Sequence, residues 1–225
     1  MIIVTGASKG LGAAICERFI AEGYDVFGLA RDVSELNFDG QACDVSSYDQ
    51  VKFIAQSLKK NKAVITGIVN AAGIASMNLA VTTPPNITQS IIQTNLVGTI
   101  YCCQLFAPLM FRNRCGSIIN FSTIAVALGL KGESIYAASK AGVEAFSRTF
   151  AREISGFNVR VNCISPGPIN TDLLKGVTSK QIDCMVAQQI ISKQFVPSNV
   201  CDLVEMLLDE KSSSLSGQVL NVGGV

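Results

Sequence analysis

The chain has 225 residues, with 18 Lys and Arg against 17 Asp and Glu and 48% hydrophobic residues, so it has the bulk of one globular domain and no basic field for tracking a nucleic-acid backbone. It contains no histidine, which excludes Ser-His-Asp and Cys-His nucleophile pairs, histidine general bases and most zinc chemistry. Proton transfer falls to another side chain, and no metal site is expected.

Short apolar runs alternate with longer segments of helical period throughout, the pattern of βαβ units around a parallel sheet. The first strand, 2–5, follows no basic segment or small-residue cleavage site, and no uninterrupted apolar run reaches the ~20 residues of a membrane span, so the chain reads as cytoplasmic. Between this strand and helix 10–22 lies Thr5-Gly6-Ala7-Ser8-Lys9-Gly10-Leu11-Gly12. Three glycines between a first strand and a first helix let backbone amides approach a pyrophosphate, while the helix N-terminus adds partial positive charge.

Strand 25–30 runs into Arg31, and only Asp32 to Gly40 lead to the next strand, 41–44. A parallel crossover usually needs a dozen or more residues, so its helix is reduced to a turn or lost and that sheet face is thinly covered. Helix 47–60 and strand 65–70 follow, then a long helix, 86–113, that contains Asn95 and the adjacent Cys102 and Cys103. Strand 117–122 precedes helix 136–155, and strand 158–164, helices 179–193 and 197–208 and strand 218–222 complete the chain. This is a single domain, 1–225, with a Rossmann-type doubly wound parallel sheet of about seven strands. The eight cysteines include no CxxC pair, and most read as small buried hydrophobes in a reducing compartment.

Without histidine, Tyr136 is the candidate acid/base. Tyr136 and Lys140 are i, i+4 neighbours on one helix face, and an ammonium within about 4–6 Å favours phenolate.

The order Thr-Gly-x-x-x-Gly-x-Gly, Asp44-Val45, Asn70-Ala71-Ala72-Gly73, Tyr136-x-x-x-Lys140, Pro166-Gly167-Pro168-Ile169-Asn170-Thr171 and Ser216 to Val222 resembles the classical, single-domain short-chain dehydrogenases/reductases from one end of the chain to the other. The resemblance implies that Tyr136 exchanges a proton with the carbonyl or alcohol oxygen and that Lys140 also holds the nicotinamide ribose. Asn95 implies a brace for the helix backbone and a water leading to Lys140. It further implies that Gly6, Ser8, Lys9, Gly10, Leu11, Gly12, Arg31, Asp44, Val45, Asn70, Ala71, Gly73, Pro166, Gly167, Ile169 and Thr171 cradle the dinucleotide, with Asp44 at the adenine and Thr171 at the carboxamide.

The sequence departs from the family at the catalytic hydroxyl about thirteen residues before the tyrosine, usually the second serine of a pair. Here Ser122-Thr123 puts Thr123 there, whose methyl restricts χ1 and crowds a substrate. Ser122 is the other candidate, and an NADPH-binding regulatory protein without turnover is the other reading. Arg31 after the second strand, with Lys9 in the glycine turn, favours NADP(H) over NAD(H), since a base there accommodates the 2′-phosphate. Asp32 stands too late for the ribose.

Ile74, Ala75, Ala125 to Leu130 and the stretch 172–194 are the expected pocket walls, apolar enough for a neutral ketone or secondary alcohol, or an acyl thioester. Arg114 matches one of two carrier-docking bases in ketoacyl-carrier-protein reductases, but no base stands near Gly156-Phe157. The long helices carry apolar residues on more than one side, and the family pairs them across two-fold axes, so a homotetramer or homodimer is expected.

Overall fold

A computed structural model describes residues 1–174 and 177–225. Seven parallel strands form one sheet in the order β3-β2-β1-β4-β5-β6-β7. They are β1 (Ile2–Thr5), β2 (Val26–Ala30), β3 (Gly40–Ala42), β4 (Gly67–Asn70), β5 (Gly116–Phe121), β6 (Val159–Ser165) and β7 (Val219–Asn221). The central strands β1, β4 and β5 are buried at every position, which is why they read as unbroken apolar runs rather than as alternating ones.

Register places Thr5, Asn70, Asn120 and Cys163 in one row near the carboxyl ends of β1, β4, β5 and β6. The chain's path reverses between β1 and β4, and such a switch point opens a crevice beyond the strand ends. A chain of polar contacts ties the row together. Asn70 Nδ2 donates to Asn120 Oδ1 at 2.8 Å, and Asn120 Nδ2 donates to Ser147 Oγ at 2.7 Å.

One face is covered by α2 (Tyr48–Lys60), α4 (Gly98–Phe106) and α7 (Ser134–Ile154), through Val51, Ile54, Cys102, Phe106, Phe150 and Ile154. On the other, α1 (Gly10–Ala21) and α9 (Pro197–Leu208) bury Ile15, Phe19, Val200, Val204 and Leu207. Each full burial of such a side chain stabilises the fold by roughly 1.5–3 kcal/mol before chain entropy is counted.

The β2–β3 connection has lost its helix, as its length requires. Phe38 takes over the covering role, its ring lying so near Gly28 that a Cβ there would stand 2.7 Å from it. Helix 86–113 is one helical run interrupted by a π turn. It comprises α3 (Pro85–Ile92), the π turn Gln93–Val97, α4 and α5 (Pro108–Phe111). By length and composition this run could cross a membrane, but Ile91, Cys102, Cys103, Phe106 and Met110 belong to the core. The expected helix 179–193 is shorter. It is α8 (Ser179–Ala187), because Ile191 N–H then bonds to the Gly223 carbonyl at 2.8 Å and ties this segment to the C-terminus. A short α6 (Ala125–Leu128), absent from the sequence pattern, follows β5. Six of the eight free thiols are buried, while Cys115 and Cys184 are exposed.

Candidate active site

β1 hands the chain to α1 through Gly6 and Gly10, with φ of +70° and +60°. Nothing larger fits the turn: a Cβ on Gly6 would lie 2.9 Å from Ala72 backbone, and one on Gly12 2.2 Å from the Gly6 carbonyl oxygen. The first turn of α1 has no acidic side chain, and its N-cap Lys9 makes no side-chain cap bond. Free amides and the helix dipole therefore meet a surface shaped for backbone approach, which fits a pyrophosphate. Thr5 Oγ1 fixes the opposite lip by accepting from Ala72 N–H at 3.0 Å.

A single cleft runs from this turn to the catalytic candidates. Lys9, Gly10, Leu11, Ala71, Gly73, Pro166, Gly167, Ile169 and Thr171 line it together with Ser122, Thr123, Tyr136 and Lys140. Gly6, Ser8 and Gly12 shape the turn without lining the cleft. Arg31 stands at the end of β2, exposed, and Asp44 and Val45 follow β3, all beyond the lining residues. Asp44 Oδ1 accepts from Ser46 N–H at 2.9 Å, and Val45 packs on Gly98. Asn70 is 2% exposed, and its side chain braces β4 against β5 instead of facing the cleft.

The buried positions of α7 include Tyr136, Ser139, Lys140, Val143, Ser147 and Phe150, one helical stripe that is core below and cleft wall above. Lys140 Nζ donates to the Phe121 carbonyl at 2.9 Å. Asn95, carried inward by the π turn, is fully buried behind the wall and bonds to Ile74 and to Ser139. A Cβ on Gly73 would lie 3.3 Å from Asn95 Oδ1 and 3.6 Å from Lys140 Nζ, so this glycine keeps open the space between them.

Ser122 and Thr123 diverge. The Ser122 hydroxyl donates to the Glu144 carboxylate, whereas Thr123, whose Oγ1 accepts from Ala125 N–H at 3.3 Å, lines the cleft with Tyr136 and draws the phenol's pKa down. That pull is outweighed by burial, then by the negative charge of Glu133, and the phenol titrates well above its ordinary range. The expectation that Lys140 shifts Tyr136 toward phenolate is not met. The ammonium is bound to a strand carbonyl, and burial pushes Lys140 itself down to about 8. A protonated phenol is nonetheless the form that can give a proton to a carbonyl oxygen.

The sequence reading passed over Glu133, three residues before Tyr136, which is 5% exposed and lines the cleft. Its i, i+3 spacing from the tyrosine was the available signal. Of the expected substrate walls, Ala75, Leu130, Leu173, Leu174 and Met185 line the cleft. Ile74 instead serves the Asn95 contact and Ala125 is buried, while residues 175 and 176 of the stretch 172–194 lie outside the described residues.

Known proteins are similar to this chain along nearly its whole length. A short chain dehydrogenase family model matches residues 1–182. The 3-oxoacyl-[acyl-carrier-protein] reductase of Thermotoga maritima is 30% identical across 99% of this chain and 95% of its own length. The enzyme of the same description from Chlamydia pneumoniae is 33% identical across 99% and 95%. Among solved structures, the ligand-free aldohexose dehydrogenase of Thermoplasma acidophilum superposes with a TM-score of 0.88 at 31% identity, over 99% of this chain and 92% of that one.

Proposed function

The chain belongs to the short-chain dehydrogenase family, whose members of this kind are oxidoreductases acting on CH–OH and C=O groups, and on that footing we propose that it is an NADPH-dependent reductase of a ketone to a secondary alcohol. The observation that carries the reading is the meeting of Tyr136, Thr123 and Lys140 with the glycine turn along one cleft. Bound nicotinamide supplies the hydride. Tyr136 donates the phenolic proton to the carbonyl oxygen, Thr123 orients that oxygen, and Lys140 and Asn95 lead the replacement proton inward. Protonated Tyr136 is the form that gives its proton to the carbonyl oxygen in the reducing direction, and burial and Glu133 both hold the proton on the phenol. On this reading Gly10 to Gly12 hold the pyrophosphate, Arg31 with Lys9 faces the adenosine ribose, Asp44 and Val45 approach the adenine, and Thr171 the nicotinamide. Asp32 is occupied by Ser34, accepting from its N–H at 3.0 Å and its hydroxyl at 2.7 Å, so it offers the ribose little competition with the two bases.

A 3-oxoacyl thioester is the second substrate reading, favoured by the identity with 3-oxoacyl-[acyl-carrier-protein] reductases. Against carrier docking, Arg114 already donates to the Gly156 carbonyl at 3.0 Å. The aldohexose dehydrogenase keeps polyhydroxylated substrates within the same reaction class. We place the protein in the cytoplasm as a homotetramer or homodimer, because Ile92, Leu96, Ile100, Leu105, Leu109 and Phe146 are only half-buried on the long helices. Sedimentation at micromolar concentration is expected to give at least a dimer.

The test of function is a carbonyl panel with NADPH and NADH, run on the native chain and on Tyr136→Phe. Turnover that falls by about 10²–10⁴ in the variant, with NADPH binding retained, supports the assignment. Tight NADPH binding with no turnover in either protein makes the chain a regulatory nucleotide binder.

A further inference from the structure

Glu133 is the N-cap of α7, and its backbone works as a cap residue's should. Its N–H donates to the Leu130 carbonyl at 3.2 Å and its carbonyl accepts from Ala137 N–H at 2.7 Å. Its carboxylate takes no part in the cap. The residue lines the cleft and is 5% exposed, its carboxylate oxygens still reach the cleft's interior, and the carboxylate has no hydrogen bond or ion pair with any of the described residues. Burial raises its pKa. A carboxylate of such low exposure gains from a hydrogen-bond donor, yet on the wall it shares the side chains of Ala75, Met77 and Leu130 are apolar, and the hydroxyl between them, Ser76, is engaged with Asn78, whose Nδ2 donates to it at 2.6 Å. Of the two lysines that line the cleft, Lys140 is bonded to the Phe121 carbonyl and neither is paired with Glu133.

The missing donor can therefore come from whatever occupies the cleft. Glu133 and Tyr136 stand one turn apart on the same side of α7, and the phenol feels the carboxylate's charge. A carbonyl oxygen at the Tyr136 hydroxyl would leave the adjoining substrate carbons beside Glu133. We propose that Glu133 is a substrate-recognising carboxylate that accepts a hydrogen bond from a hydroxyl or protonated amine next to the reacting carbon, so that the chain selects hydroxylated or amino-bearing carbonyl compounds over bare alkyl or acyl ones. This deepens the reductase reading and rests on it for the position of the reacting carbon.

The experiment measures binding of cyclohexanol, cyclohexane-1,2-diol and 2-aminocyclohexanol to the NADPH-saturated protein by calorimetry, where no hydride acceptor is present and the alcohols cannot react, with turnover of the same compounds followed separately with NADP+. A charge-assisted hydrogen bond corresponds to a preference of roughly 10- to 100-fold for the diol and the amino alcohol over cyclohexanol. Glu133→Met, which has no comparable acceptor, is expected to bring the three ligands to near parity. Glu133→Gln, of the same shape, is expected to abolish the extra affinity of the amine while keeping part of the diol's, and it decides the matter if the Met variant does not fold. Equal binding of all three ligands by the native chain, or a preference unchanged in Glu133→Gln, overturns the proposal. Because binding is read without turnover, a Glu133-dependent preference in a chain that oxidises none of the three would sink only the reductase reading. Parity in a chain that does oxidise cyclohexanol would sink only this one.

Discussion

Asn95 holds both backbone polar groups of Ile74: its Oδ1 accepts from the Ile74 N–H at 2.8 Å and its Nδ2 donates to the Ile74 carbonyl at 2.9 Å. The same Nδ2 donates to Ser139 Oγ at 3.1 Å, so one amide links the π turn, the segment after β4 and α7. Asn95→Ala leaves buried groups without partners and is expected to lower stability by about 2–4 kcal/mol. The denaturant midpoint should fall with an unchanged slope. KM for the carbonyl substrate should rise as well, because the wall from Gly73 to Met77 loses its anchor.

The separate engagements of Ser122 and Thr123 predict opposite outcomes for adjacent substitutions. Thr123→Val is expected to lower kcat by about 10²–10³, the scale for losing one oxyanion-orienting donor. Thr123→Ser should keep or raise activity by relieving the methyl. Ser122→Ala should change kcat little and cost about 1–2 kcal/mol of stability, since Glu144 loses its donor. A kcat loss confined to Ser122→Ala would move the catalytic hydroxyl to Ser122.

Lys140 gives the stability curve a signed contribution. Its pKa falls from 10.5 in the ordinary state to about 8 in the fold, so between those values the unfolded chain binds the extra proton. Unfolding free energy therefore rises with pH across this window, by up to roughly 3 kcal/mol for a shift of this size. The raised thiol pKa values of Cys16, Cys103 and Cys163 act with the opposite sign at the alkaline end. The comparison is accordingly native chain minus Lys140→Met, in which the thiols cancel. The difference between the two should change in favour of the native chain from about pH 8 to 10.5 and level off on either side.

Removing the charges of Lys9 and Arg31 together is expected to weaken NADPH by about tenfold or more per lost phosphate contact while leaving NADH nearly unchanged. Fluorescence titration with each cofactor reads this directly. An equal loss for both cofactors would place the 2′-phosphate elsewhere.

The strands and the glycine turn were legible because their signals are local: unbroken apolar runs for doubly buried strands, and glycines where a Cβ would strike the neighbouring backbone. The π turn was not legible. One extra residue in the hydrogen-bond ladder leaves no mark in an apolar helix pattern, although it aims Asn95 inward. Phe38 as the replacement for the missing crossover helix was hidden for another reason, since its contact with Gly28 depends on how the loop folds back. The spacing of Tyr136 and Lys140 put them on one face, but the direction of the ammonium was set by the Phe121 carbonyl on β5, a partner from another part of the chain. Glu133 was missed because a helix N-cap carboxylate ordinarily faces water.

The distribution of the thiols gives this chain a natural spectroscopic handle. Six cysteines are shut inside the packing, and of the two exposed ones Cys184 lies on α8, in a surface depression that shares Met77, Leu130 and Met185 with the cleft. A thiol-reactive fluorophore added under native conditions would label Cys115, at the start of β5, and Cys184. With Cys115 replaced by serine, the remaining dye would sit at the rim of the cleft, and ligand occupancy could be followed there in real time without waiting for a reaction to occur.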